Sequence, residues 1–137
     1  MKRLILTTAL VLLAGITFGQ TLEKGNSLGL HVYTITLDPD VTLNQYLDFW
    51  SNKVIPEFEK NFEGLKINLI KCDRGHYENK IGILTHFKSE KDRDRYWPGL
   101  GKQTDEGKAG MEKVQPVLDE LAKLGTTTDE YSGFVIQ

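Results

Sequence analysis

The stretch Ile81-Gly82-Ile83-Leu84-Thr85-His86-Phe87-Lys88-Ser89-Glu90-Lys91-Asp92-Arg93-Asp94-Arg95-Tyr96-Trp97-Pro98 decides the fold. Its first half is apolar, β-branched and aromatic, the composition of a strand buried on both faces. Ser89 followed three residues later by Asp92 is a helix start, and the charged turn after it ends at an aromatic pair closed by a proline. A strand running directly into a helix gives a fixed point from which the flanking elements can be placed.

Upstream, Leu65–Cys72 alternates in hydropathy and is joined to Ile81 by Asp73-Arg74-Gly75 and a polar run, which predicts a hairpin. With Leu69 opposite Ile83, one face carries Leu65, Ile67, Leu69, Ile81, Ile83, Thr85 and Phe87. The other carries Asn68, Ile70, Cys72, Gly82, Leu84 and His86. Gly29–Leu37 predicts a first strand closed by Asp38-Pro39-Asp40, with His31, Tyr33, Ile35 and Leu37 on one side and Leu30, Val32, Thr34 and Thr36 on the other. Antiparallel pairing then sets His86 near Val32.

Between these strands Thr42 and Gln45 form a capping box, and Leu43, Leu47, Trp50, Val54, Phe58 and Phe62 make one helical stripe that Gly64 ends. Pro56 lies inside that helix and predicts a kink. Downstream, Thr104 caps a helix whose inner face is Met111, Val114, Val117 or Leu118, Leu121 and Leu124, with a second kink expected at Pro116. Thr126–Glu130 reads as a polar loop and Tyr131–Gln137 as a terminal strand.

The order strand, helix, strand, strand, helix, strand, closed by two right-handed crossovers, gives an α+β ferredoxin-like βαββαβ domain. Its four-stranded antiparallel sheet has the order 4-1-3-2, with both helices on one face. The other face, carrying Val32, Leu84, Ile70 and Val135, is too apolar to stay wet, and a second copy is the simplest cover. A homodimer is expected.

Residues 1–19 join Lys2 and Arg3 to an uncharged run, Leu4–Phe18, that is too short to span a bilayer, the layout of a signal peptide. The expectation is export to a periplasm or the medium, with a flexible leader at 20–28 and one domain at 29–137. Removing residues 1–19 leaves 118 residues and moves the net charge from −2 to −4. With no basic cluster, neither nucleic acid nor an anionic membrane is an expected partner. The single cysteine, Cys72, has no internal disulfide partner. Cys72 and His76 would make a nucleophile and base only with a third group to orient them, and none is evident.

The strand exits Thr36-Leu37-Asp38-Pro39 and Phe87-Lys88-Ser89-Glu90, the latter followed by Arg93, Asp94, Tyr96 and Trp97, resemble those of the dimeric α/β-barrel superfamily, near antibiotic-biosynthesis-monooxygenase-like and NIPSNAP-like proteins. The resemblance implies a pocket between sheet and helices. It leaves open cofactor-free oxygenase or isomerase chemistry, haem handling, or no chemistry at all.

The strand phases aim His86 at the open face, where it is the candidate catalytic residue, with Asn68 and Thr34 beside it as candidate ligand-binding groups. Trp97, before the proline break, and Arg95, as a carboxylate holder, are placed at the pocket rim. His31, on the helix side, reads as a capping or core histidine. No carboxylate completes a metal set, so no metal is expected; a haem would have His86 as its evident ligand. The leading reading is an exported, dimeric binder of a small apolar or aromatic molecule, with turnover left open. The alternative is a non-catalytic interaction module whose open face is only a dimer interface.

Overall fold

The computed structural model describes residues 21–137. The leader peptide expected at 1–19 lies outside them. Strands β1 (Ser27–Leu37), β2 (Lys66–Lys71), β3 (Ile81–Phe87) and β4 (Gly125–Val135) form an antiparallel sheet in the order β2-β3-β1-β4. Read from the other edge, this is the order 4-1-3-2 that the two crossovers dictate. Helices α1 (Leu43–Phe49), α2 (Ile55–Asn61), α3 (Glu90–Asp94) and α4 (Asp105–Ala122) cover one face. The fold is ferredoxin-like. Among the described residues no helix is long and apolar enough to cross a membrane.

The caps are those the sequence specifies. The Gln45 N–H donates to Thr42 Oγ1 at 3.3 Å while the Thr42 N–H donates to Gln45 Oε1 at 2.8 Å; Ser89 and Thr104 accept in the same way from the N–H groups of Asp92 and Gly107. Between α1 and α2, Trp50–Val54 forms a π turn in which the Ile55 N–H reaches back to the Trp50 carbonyl. The irregularity expected at Pro56 therefore falls one turn earlier, and it puts Pro56 in the first turn of α2, where a missing N–H costs little. The wide turn also shifts the inward face. Tyr46, Trp50 and Val54 are buried at intervals of four, while Leu43, expected inside, is exposed.

Two cores hold the helices to the sheet. Tyr46, Trp50, Val54, Ile83 and Leu121 form one, and Phe62, Leu65, Phe87, Tyr96 and Val114 the other. The hairpin register is Leu69 opposite Ile83, as the alternation requires. α4 runs unbroken through Pro116.

Three expectations are corrected. Thr126–Glu130 is not a loop: β4 pairs with β1 from Leu37↔Gly125 to Ser27↔Val135, because three consecutive β-branched threonines suit a strand and β1 would otherwise lose its partner. β1 begins at Ser27, inside the segment read as leader, since the Gly25 N–H donates to the Ile136 carbonyl and the Ile136 N–H to the Asn26 carbonyl, carrying the pairing outward. His86 pairs with Leu28, not near Val32, which faces Gly82.

Candidate functional site

The sheet is wider than the helices that cover it. α4 packs beside α2, α3 is a little over one turn long, and the Ser27–Tyr33 end of β1 and the Asp129–Val135 end of β4 are left partly bare on the helix side. The result is a cavity of about 740 Å³ between the sheet and the Trp97–Gly101 segment. Its walls are aromatic and aliphatic: Tyr33, Trp50, Phe58, Leu65, Ile67, Ile83, Phe87, Trp97 and Tyr131. Trp97 is held against Phe62 with ring centroids 4.7 Å apart, and Tyr33 stacks on Trp50 at 6.0 Å.

The floor depends on two glycines. Gly29 and Gly133 face each other across β1 and β4, and Tyr131 lies over them. A Cβ at Gly29 would collide with the Thr85 hydroxyl and sit 3.0 Å from the Tyr131 ring, and one at Gly133 would sit 3.1 Å from the Tyr131 hydroxyl, so the two glycines make room for that ring. The Thr85 hydroxyl donates instead to the Gly29 carbonyl at 3.1 Å.

Polar groups lie at the two ends. At one end His31 Nδ1 and Asp129 Oδ2 are 2.7 Å apart, with the His31 ring 4.7 Å from that of Tyr131. Tyr33 sits directly across from Asp129; burial first, and the Asp129 charge second, raise its phenol far above the usual range and keep it protonated. At the other end Arg93 donates from Nη1 to Ser27 Oγ at 3.1 Å and from Nη2 and Nε to Asp94 Oδ1 at 2.7 and 2.8 Å, with the Glu90 carboxylate at 3.6 Å. That cation is locally neutralised, so the cavity is built for a neutral, flat, apolar molecule rather than an anion.

Of the residues singled out in the sequence, Trp97 lines this cavity. His86, Asn68 and Thr34 lie on the opposite sheet face. The His86 side chain is buried, and its Nε2 is 2.9 Å from Asn26 Oδ1, whose amide nitrogen donates to the Lys88 carbonyl. That second bond fixes the Asn26 oxygen toward His86, so the neutral imidazole donates from Nε2, and burial lowers its pKa below the ordinary value. An Nε2 so engaged does not present a free nitrogen to a haem iron. Thr34 accepts from Lys80 Nζ at 2.7 Å, and Asn68 is exposed. Arg95 is held outside the cavity by Glu106 and Glu63, with bonds of 2.8 and 3.0 Å, and its guanidinium lies over the Tyr96 ring. Val135, expected on the open face, pairs with Ser27 on the helix side; Phe134, half exposed, pairs with Leu28 on the open side and also reaches the rim of the cavity. Among the described residues no three His, Cys, Asp or Glu side chains are gathered as a metal ion would need.

No protein-family model matches the chain, and no curated protein sequence does. Solved structures do. A NIPSNAP family protein of Agrobacterium tumefaciens superposes with a TM-score of 0.56 at 14% identity, covering 85% of this chain and 90% of that one. A NIPSNAP-like domain protein of Burkholderia xenovorans gives 0.55 at 12%, covering 84% and 88%. A second Agrobacterium NIPSNAP family protein, of unknown function, gives 0.50 at 14%, covering 82% and 91%. The chain shares its fold with NIPSNAP proteins. At these identities the likeness speaks of fold, and the cavity has to be read from its own residues.

His31, Asp129 and the glycine pair are what the sequence reading missed. Asp129 fell in the stretch read as a loop, so no partner for His31 was in view. Gly29 carried a signal, since a glycine inside a strand marks close approach of another group.

Proposed function

We propose that this chain binds one small, neutral, planar apolar molecule in the cavity between sheet and helices, as an exported homodimer packed through its open sheet faces. The observation that carries the reading is the cavity itself, of a size that encloses a drug-sized ligand, walled by rings and floored by Tyr131 lying on two facing glycines. Dimerisation is supported by the uncovered apolar face: Leu28, Leu30, Val32, Leu84, Ile70 and Phe134 form a patch with Phe134 51% and Ile70 37% exposed. Export rests on the layout of residues 1–19. Oxygenation and isomerisation without a cofactor are the reactions in view for such a ligand. A base inside the cavity would separate an enzyme from a carrier.

The chain's two tryptophans, Trp50 and Trp97, both line the cavity, so intrinsic fluorescence reports its occupancy. Titration with the neutral dye N-phenyl-1-naphthylamine is expected to quench both tryptophans with one saturable site per chain. Non-saturable quenching, or none, would refute the proposal. Light scattering should give twice the chain mass, and a Soret band after adding haemin is not expected.

A further inference from the structure

We infer that His31 is a general base for the cavity, oriented by Asp129, and that the cavity's ligand is a carbonyl compound with an acidic C–H bond. This rests on the cavity being a ligand site.

Among the described residues His31 Nδ1 bonds Asp129 and Nε2 makes no hydrogen bond, in a histidine that lines the cavity. A carboxylate on one ring nitrogen fixes the tautomer with the proton at Nδ1, leaving the lone pair at Nε2 as a proton acceptor. The pairing is long-range and rigid. His31 and Asp129 stand on adjacent strands in one antiparallel ladder, and neither position depends on a loop. His31 is 26% and Asp129 38% exposed at the side chain, which leaves room for a substrate to reach the ring from the cavity.

The neighbourhood supplies the electrophilic half. Tyr131 lies beside the His31 ring and over the Gly29–Gly133 trough, and the protonated Tyr33 phenol is on the next helix-facing position of β1. Both are neutral donors for an oxygen that gains negative charge. Ser27 to His31 spans four strand residues, about 13 Å, so a bicyclic ketone lying over the Tyr131 ring fits between the two polar ends of the cavity.

The step balances without an oxidant or reductant. The C–H bond next to the carbonyl breaks, its electron pair forms the carbon–carbon double bond of the enolate, and the carbonyl π pair moves to oxygen, where Tyr131 donates. The proton rests on His31 Nε2 and returns to the same or a conjugated carbon, giving exchange or a double-bond shift.

2-Tetralone in deuterated buffer is the probe, with α-deuteration followed by proton NMR and binding followed by tryptophan fluorescence. The wild-type protein should accelerate exchange over buffer, and His31→Gln should lose at least about tenfold of that acceleration while binding with unchanged affinity. Asp129→Asn should lower the rate at saturation without changing the dissociation constant, which a purely structural ion pair would not do. Binding without accelerated exchange, or exchange untouched in His31→Gln, overturns the inference and leaves the ligand site standing. No fluorescence response to millimolar 2-tetralone contradicts both.

Discussion

At the scale of single residues, the sheet separates two histidines, His31 on its helix side and His86 on its open side. His86 sits in the centre of the stretch that decides the fold, and the alternation of β3 aims it away from the helices. The alternation was right, but the register was not: paired with Leu28, His86 lies beside Asn26 and is spent on a buried hydrogen bond. Because burial lowers its pKa, the unfolded chain takes up the proton more readily than the folded one. The sign follows. The stabilisation is full above the unfolded value of about 6.5 and is lost as pH falls from there through the lower folded value. Urea midpoints should drop between neutral pH and about pH 5, and His86→Gln should flatten that slope; an unchanged slope would show that other groups dominate. Gly29 gives a second residue-scale outcome. Gly29→Val should abolish dye binding while leaving the dimer intact, because its side chain would displace Thr85 and Tyr131 into the cavity.

At the scale of elements, capping and turn chemistry were legible because they are local. Thr42 and Gln45, Ser89 and Asp92, and Thr104 each close the helix end that their spacing announces. Thr42→Ala should cost about 1 kcal/mol in equilibrium unfolding, with Thr42→Ser close to wild type. What was not legible depends on tertiary context. A π turn inserts one residue per turn without a composition signal of its own, so the inward set became Tyr46, Trp50 and Val54. The polar run Thr126–Glu130 is a strand because β1 offers it an edge, and with it came Asp129, the hydrogen-bond partner of His31. The Trp97–Gly101 segment belongs to this scale too. Leu100 is 85% exposed at its tip, beside the cavity, between Gly99 and Gly101. Leu100→Ser should weaken dye binding severalfold with no loss of stability, since the side chain gives up almost no burial in the free protein.

At the scale of the whole molecule, the sheet has two apolar faces, one covered by the helices and one bare. The strand order and the side on which the helices lie followed from element order and the handedness of crossovers. The alternation of β3 puts His86 on the open face, with Asn68 and Thr34, while the pocket implied between sheet and helices keeps only Trp97 of the expected site residues. The helices, however, fail to span the sheet, and a cavity of about 740 Å³ lies under them. How well two helices cover four strands is set by α3 being short and α4 leaning on α2, which no local pattern records. On the proposed reading a second copy covers the open face. Leu84→Lys at its centre should give a monomer in light scattering that still binds the dye.

The most direct measurement is a crystal structure of the protein with 1-naphthol, a neutral planar probe. The ligand is predicted between Trp97, Tyr131 and the Gly29–Gly133 trough, with its hydroxyl toward His31. Ordered ligand on the opposite sheet face beside Leu84 and Asn68, with the helix-side cavity empty, would contradict the account.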